Sequence, residues 1–149
     1  MPSFQFYLLN CFWLILPLVA WNLVLGPRII DPRVTSDAHS QKWLLIAENS
    51  MRVLVFGLPL LLPLQWQEPW PKAGLVVYLI GTLVYFASWL PLFLTPRLGW
   101  SDRPAGLLAP RLTPLLSFLG IALIGQSWPY GIVSAAFIGL HTWHGIQNL

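Results

Sequence analysis

From Leu112 to Leu149 the sequence carries no lysine, arginine, aspartate or glutamate, and three earlier stretches are nearly as bare. A soluble domain needs charge on its outward faces, roughly a quarter of its residues. Here charged residues are 9% and hydrophobic residues 56%. The same figures exclude intrinsic disorder. A lone cysteine, Cys11, excludes a disulfide framework and a thiolate metal cluster. The chain reads as all-α, a polytopic transmembrane helix bundle forming a single domain.

A helix needs about 20 mostly apolar residues to cross the hydrocarbon core. The first such run is 4–25. It has no basic leader and no small-residue cleavage site, so it reads as a retained span and not a signal peptide. The second is 43–64 and the third 73–94. The apolar region 107–140 would measure about 51 Å as one helix, too long for a single crossing. The turn-forming Gly125–Gly131 segment divides it into spans at 107–125 and 129–146. Five spans result; the alternative is four plus a re-entrant or interfacial tail. Pro17, Pro59, Pro63, Pro91 and Pro114 are expected to kink or end their helices.

The loop after span one holds Arg28, Arg33 and Lys42, and the loop after span three, 95–111, holds Arg97, Arg103 and Arg111. The intervening turn has only Lys72. Positive residues stay inside, so the N-terminus is expected outside and the C-terminus in the cytoplasm, in a cell or internal membrane. The net charge of +3 is therefore a topology signal. No basic stripe suggests nucleic-acid binding, and the bilayer itself is the expected partner.

Gly74, Gly81 and Ser88 recur every seven residues on span three, and Gly131, Ala135 and Gly139 every four on span five. Small residues at these spacings let helices approach closely, within one bundle or against other membrane subunits or a second copy. The chain is tryptophan-rich, with nine. Trp13, Trp21, Trp43, Trp66, Trp70, Trp100 and Trp128 suit interfacial belts. Trp89 and Trp143 lie deeper, where they would line a cavity for a flat ligand.

Chemistry should reside where polar groups are costly. Glu48 and Arg52, acid first at a spacing of four, form a favourable helical ion pair about 7.5 and 13.5 Å into the core. Such a pair locks helices together, or serves as a proton relay or a site for an acidic group. His141 and His144 share a helical face; two histidines at this spacing also offer metal ligation or an axial ligand for haem or a chlorophyll-type pigment. His39 falls in a charged loop. Under the five-span topology, Asn22, Glu48, Asn49, Arg52, Tyr85, Ser88, Thr113, Ser117, His141 and His144 share one cytoplasmic-side layer. Unsatisfied polar groups in hydrocarbon cost several kcal/mol, roughly, so this layer is expected to converge into a pocket. Arg52 would hold an anionic or carbonyl group, Glu48 would set its position, and Tyr85 and Ser88 would add hydrogen bonds.

Walker, GxSxG, GxGxxG and HExxH motifs do not occur, so the sequence gives no support for an enzyme. Trp21-Asn22, Glu48 with Arg52, Leu58-Pro59-Leu60 and the segment Tyr78 to Trp89 resemble a group of small bacterial multi-span membrane proteins. That resemblance implies location and helix layout but no activity. The tryptophan-rich sensory (translocator) family is similar in size and tryptophan content. Its proline- and tryptophan-rich stretch between the first helices has no counterpart in Gly26–Lys42. The expected function is an accessory subunit of a larger respiratory or photosynthetic membrane complex. The alternative is a stand-alone binder or transporter of a small lipophilic or amphipathic molecule.

Overall fold

In a computed structural model, residues 9–29, 42–65, 67–94 and 104–147 are described. The start of the first expected span, most of both basic loops, His39, Trp66 and Trp100 lie outside the described residues. The helices are α1 (Phe12–Ile29), α2 (Lys42–Gly57), α3 (Pro69–Leu94), α4 (Pro104–Leu112), α5 (Pro114–Ile124) and α6 (Trp128–Gln147). A 3₁₀ segment, Leu58–Leu61, continues α2. Described residues form no strand, only an isolated bridge between Asn10 and Pro63. Lys42–Leu61, Pro69–Leu92 and Ala105–Ile124 are long and apolar enough to cross a membrane, while Phe12–Gly26 is apolar but shorter.

Proline position explains where the rods break. Pro59 is the second residue of the 3₁₀ segment. Pro114 opens α5 directly after Thr113, which keeps right-handed helical angles, so α4 and α5 follow one another with only a brief interruption. Each prolyl ring removes a donor and crowds the preceding turn. Pro91 and Pro110 instead remain inside α3 and α4. At one end of the bundle, the Cys11 N–H donates to the Leu62 carbonyl at 2.8 Å and the Leu64 N–H to Leu9 at 3.1 Å. Asn10 accepts from the Phe12 N–H at 3.1 Å and caps α1.

The division at Gly125 is a tight helical hairpin. Gln126 takes the left-handed conformation, φ 48°, and the Ser127 N–H returns to Ala122 at 2.8 Å. These bonds satisfy the last carbonyls of α5. Ser127 Oγ then accepts from the Tyr130 N–H and caps α6.

The helix pair α3–α5 makes the most extensive contact in the bundle. A Cβ on Gly81 would lie 2.5 Å from the Ser117 backbone nitrogen, and one on Gly120 would lie 2.5 Å from that of Tyr78. Only glycine permits so close an approach. Along this seam Thr82 Oγ1 pairs with Ser117 Oγ, and Ser88 Oγ with Thr113 Oγ1, each at 3.2 Å. The span-three stripe is therefore spent on internal packing. The α6 stripe is only partly so: Gly131 lies against Ala122 of α5, whereas Ala135 and Gly139 are exposed and a side chain added at Gly139 would meet nothing within 4 Å.

Candidate functional site

The second long seam joins α2 to α6, and its centre is a carboxylate. Glu48 is only 3% exposed. Arg52, one turn along α2, donates from Nη2 to its Oε1 at 2.5 Å. From α6, His141 Nδ1 meets the same oxygen at 2.9 Å and His144 Nδ1 meets Oε2 at 2.6 Å. Paired with Arg52, Glu48 is an acceptor only, so each facing Nδ1 carries the proton. One carboxylate thus fixes the tautomer and orientation of two imidazoles on another helix. Phe137, one turn before His141, stacks on its ring with centroids 5.6 Å apart.

Beside this clamp lies a cavity of about 720 Å³. Asn22 from α1, Arg52 from α2, Tyr85 and Trp89 from α3, Arg111 from α4 and His141 from α6 contribute its polar wall. Leu18, Phe56, Leu92, Phe118 and Ile138 are among its apolar residues. Glu48 and His144 are not in the wall; they stand behind it and hold Arg52 and His141 in place.

The expected polar layer therefore separates into two sets. Asn22, Arg52, Tyr85 and His141 meet around the cavity, with Glu48 and His144 as their support. Ser88, Thr113 and Ser117 belong to the α3–α5 seam. Asn49 is exposed, because one residue beyond Glu48 turns about 100° around the helix. Trp89 faces the cavity as expected for a deep tryptophan, whereas Trp143 is 54% exposed.

Arg111 falls both in the second basic loop and in the expected span 107–125, and it is absent from the expected polar layer. The structure places it within α4 and in the cavity wall. Its Nη1 donates to the His141 carbonyl at 3.4 Å. The signal that pointed to this was its place after Ala109-Pro110 inside an apolar run, since proline does not always end a membrane helix.

Two side chains in the wall have unused hydrogen-bonding capacity. Tyr85 is 1% exposed, and its hydroxyl faces Asn22 and Trp89. Neither that hydroxyl nor Trp89 Nε1 completes a hydrogen bond of good geometry among the described residues. Buried polar atoms of this kind cost about 1–3 kcal/mol unless something pairs with them.

A metal or pigment at His141 or His144 would have to be held through Nε2, because both Nδ1 atoms are engaged by Glu48. Among the described residues no group of three His, Cys, Asp or Glu side chains is arranged to hold a metal ion. A second cavity, about 610 Å³, is lined by Trp70, Leu119, Gln126, Trp128 and neighbouring small or apolar residues, with no charged side chain in its wall. No protein-family model matches the chain, and no curated protein or solved structure is similar to it.

Proposed function

We propose that this chain is a stand-alone membrane-embedded binder or carrier of a small amphipathic molecule. The observation that supports it is the 720 Å³ cavity, in which an apolar wall meets two arginines and a histidine. Ligand pockets combine mostly apolar walls with a few well-placed polar groups, as here.

In the same proposal α1, α2, α3, the consecutive pair α4–α5 as one rod, and α6 all cross the membrane. At 1.5 Å per residue, the 18 residues of α1 span about 27 Å and the 20 residues of α6 about 30 Å, close to the core thickness. The basic loops favour a cytoplasmic C-terminus. A phosphatase fused after Leu149 should then be inactive and a fluorescent protein there active. An active phosphatase at Leu149, with an inactive one in the 30–41 loop, favours four spans.

A second reading is supported by the open face of α6. Trp128 and Ile132 are 83% and 69% exposed beside Ala135 and Gly139, a surface suited to a neighbouring helix of a larger respiratory or photosynthetic complex. Extraction directly from the membrane into nanodiscs, followed by mass spectrometry and an absorption spectrum, separates the two. A stoichiometric small molecule on an otherwise solitary chain supports the binder. Stoichiometric partner subunits with no small molecule support the accessory role, and a haem or chlorophyll band assigns the histidines to a pigment.

A further inference from the structure

We propose that the molecule held in this cavity is an amphipathic anion, with a carboxylate or phosphate head gripped by Arg52 and Arg111 together and an apolar tail along the rest of the wall. This rests on the binding reading above and adds the chemistry of the head group.

Charge points the same way as geometry. Arg52, Arg111 and Glu48 form one cluster: His141 hydrogen-bonds Glu48 through its ring and accepts from Arg111 through its carbonyl. With uncharged imidazoles, two arginines accompany one glutamate, and Glu48 is absent from the wall while Arg52 and Arg111 both belong to it. The cavity therefore presents a net positive charge in a poorly screened setting, where an unpaired charge is expensive.

The hydrogen-bond inventory agrees. Guanidinium and indole N–H groups only donate, and a tyrosine hydroxyl also donates. Arg52 and Arg111 are the donor residues of the wall, whereas the Trp89 Nε1 and Tyr85 hydroxyl are covered beneath its surface. Asn22 already uses its Nδ2 on the Leu18 carbonyl at 2.9 Å. A wall rich in donors fits a ligand rich in acceptor oxygens, and carboxylate and phosphate match the planar fork of arginine.

Gly145 is what lets Arg111 take this position. A Cβ there would lie 2.6 Å from Arg111 Cζ and 2.7 Å from its Cδ, so any side chain at 145 pushes the guanidinium out of its seat. Gly145 is thus a positioning residue whose alanine variant moves one flexible side chain and leaves the helix path alone.

Dodecanoate, dodecyl phosphate and methyl dodecanoate, titrated into the full chain in maltoside micelles and followed calorimetrically, test this. The ester keeps the tail and the acceptor oxygens but lacks the charge. Wild-type protein is expected to bind at least one of the two anions about tenfold or more above the ester, a charge-assisted preference. Arg111→Gln and Gly145→Ala should reduce that preference to about twofold with ester affinity unchanged. Preference for dodecanoate assigns a carboxylate head, and preference for dodecyl phosphate a phosphate head; either supports the proposal. Equal binding of ester and anions by wild-type protein overturns it while leaving the cavity a binding site. An undiminished anion preference in a folded Gly145→Ala variant also overturns it. Failure of all three compounds to bind removes the binding reading itself, and this proposal with it.

Discussion

The seams α3–α5 and α2–α6 join helices of the same bundle by opposite means. In the first, glycines at 81 and 120 bring backbones together until no side chain fits, and hydroxyl pairs such as Thr82–Ser117 fill what little polarity remains. In the second, a single buried carboxylate spans the gap, gathering Arg52, His141 and His144, and a cavity opens alongside. Close packing spreads its stabilisation over many weak contacts. An ionic clamp concentrates it in one group whose loss strands several others. The first seam makes a rigid support; the second positions chemistry and leaves room beside it.

If that contrast is right, Glu48→Ala should be the most damaging single change in either seam. It leaves one guanidinium and two oriented ring N–H groups without their acceptor, and removing one partner of a buried pair costs about 3–5 kcal/mol. Unfolding in mixed detergent–SDS micelles reads this directly. Glu48→Gln should fall between wild type and alanine, because a side-chain amide offers only one oxygen to two ring N–H donors. Gly81→Leu comes next. The added side chain collides with the backbone of α5 and should cost about 1–3 kcal/mol, as overpacking does. Were it to cost more than Glu48→Ala, the α3–α5 seam would be the critical one and the contrast would reverse. Ser117→Ala, which removes a hydroxyl from a seam already closed by glycine, should cost only about 0.6 kcal/mol in the same assay.

How well the two seams can be read from sequence differs for the same physical reason. Close packing requires small residues at a helical period, so Gly74, Gly81 and Ser88 announce a contact face, though not the helix that fills it. The clamp is assembled from residues 93 and 96 positions apart along the chain. Each half is visible alone, Glu48 with Arg52 by spacing and His141 with His144 by shared face, and the depth expected from a five-span topology puts them at one level. Depth does not give direction around the helix axis, which is why Asn49 was expected beside Glu48 and is found on the outer side. Nor does a basic residue at the edge of an apolar run declare itself loop or helix. Arg111 reads as a topology signal, and only the course of α4 beside α6 turns it into part of the cavity wall.

The central claim is that Glu48 accepts hydrogen bonds from both histidines of α6 at once, and labelling can measure it without altering the clamp. Glu48 and Glu68 are the only glutamates, and His39 the only histidine besides the two in the clamp. A chain carrying Glu68→Gln and His39→Gln, labelled with ¹³C at the glutamate Cδ and ¹⁵N in the imidazoles, isolates the contact for solid-state NMR in bilayers. The structure predicts that both Nδ1 atoms are protonated and both show strong dipolar coupling to the single labelled carboxyl carbon. Coupling to only one histidine, or to neither, would contradict the clamp and with it the positioned cavity wall on which the proposed function rests.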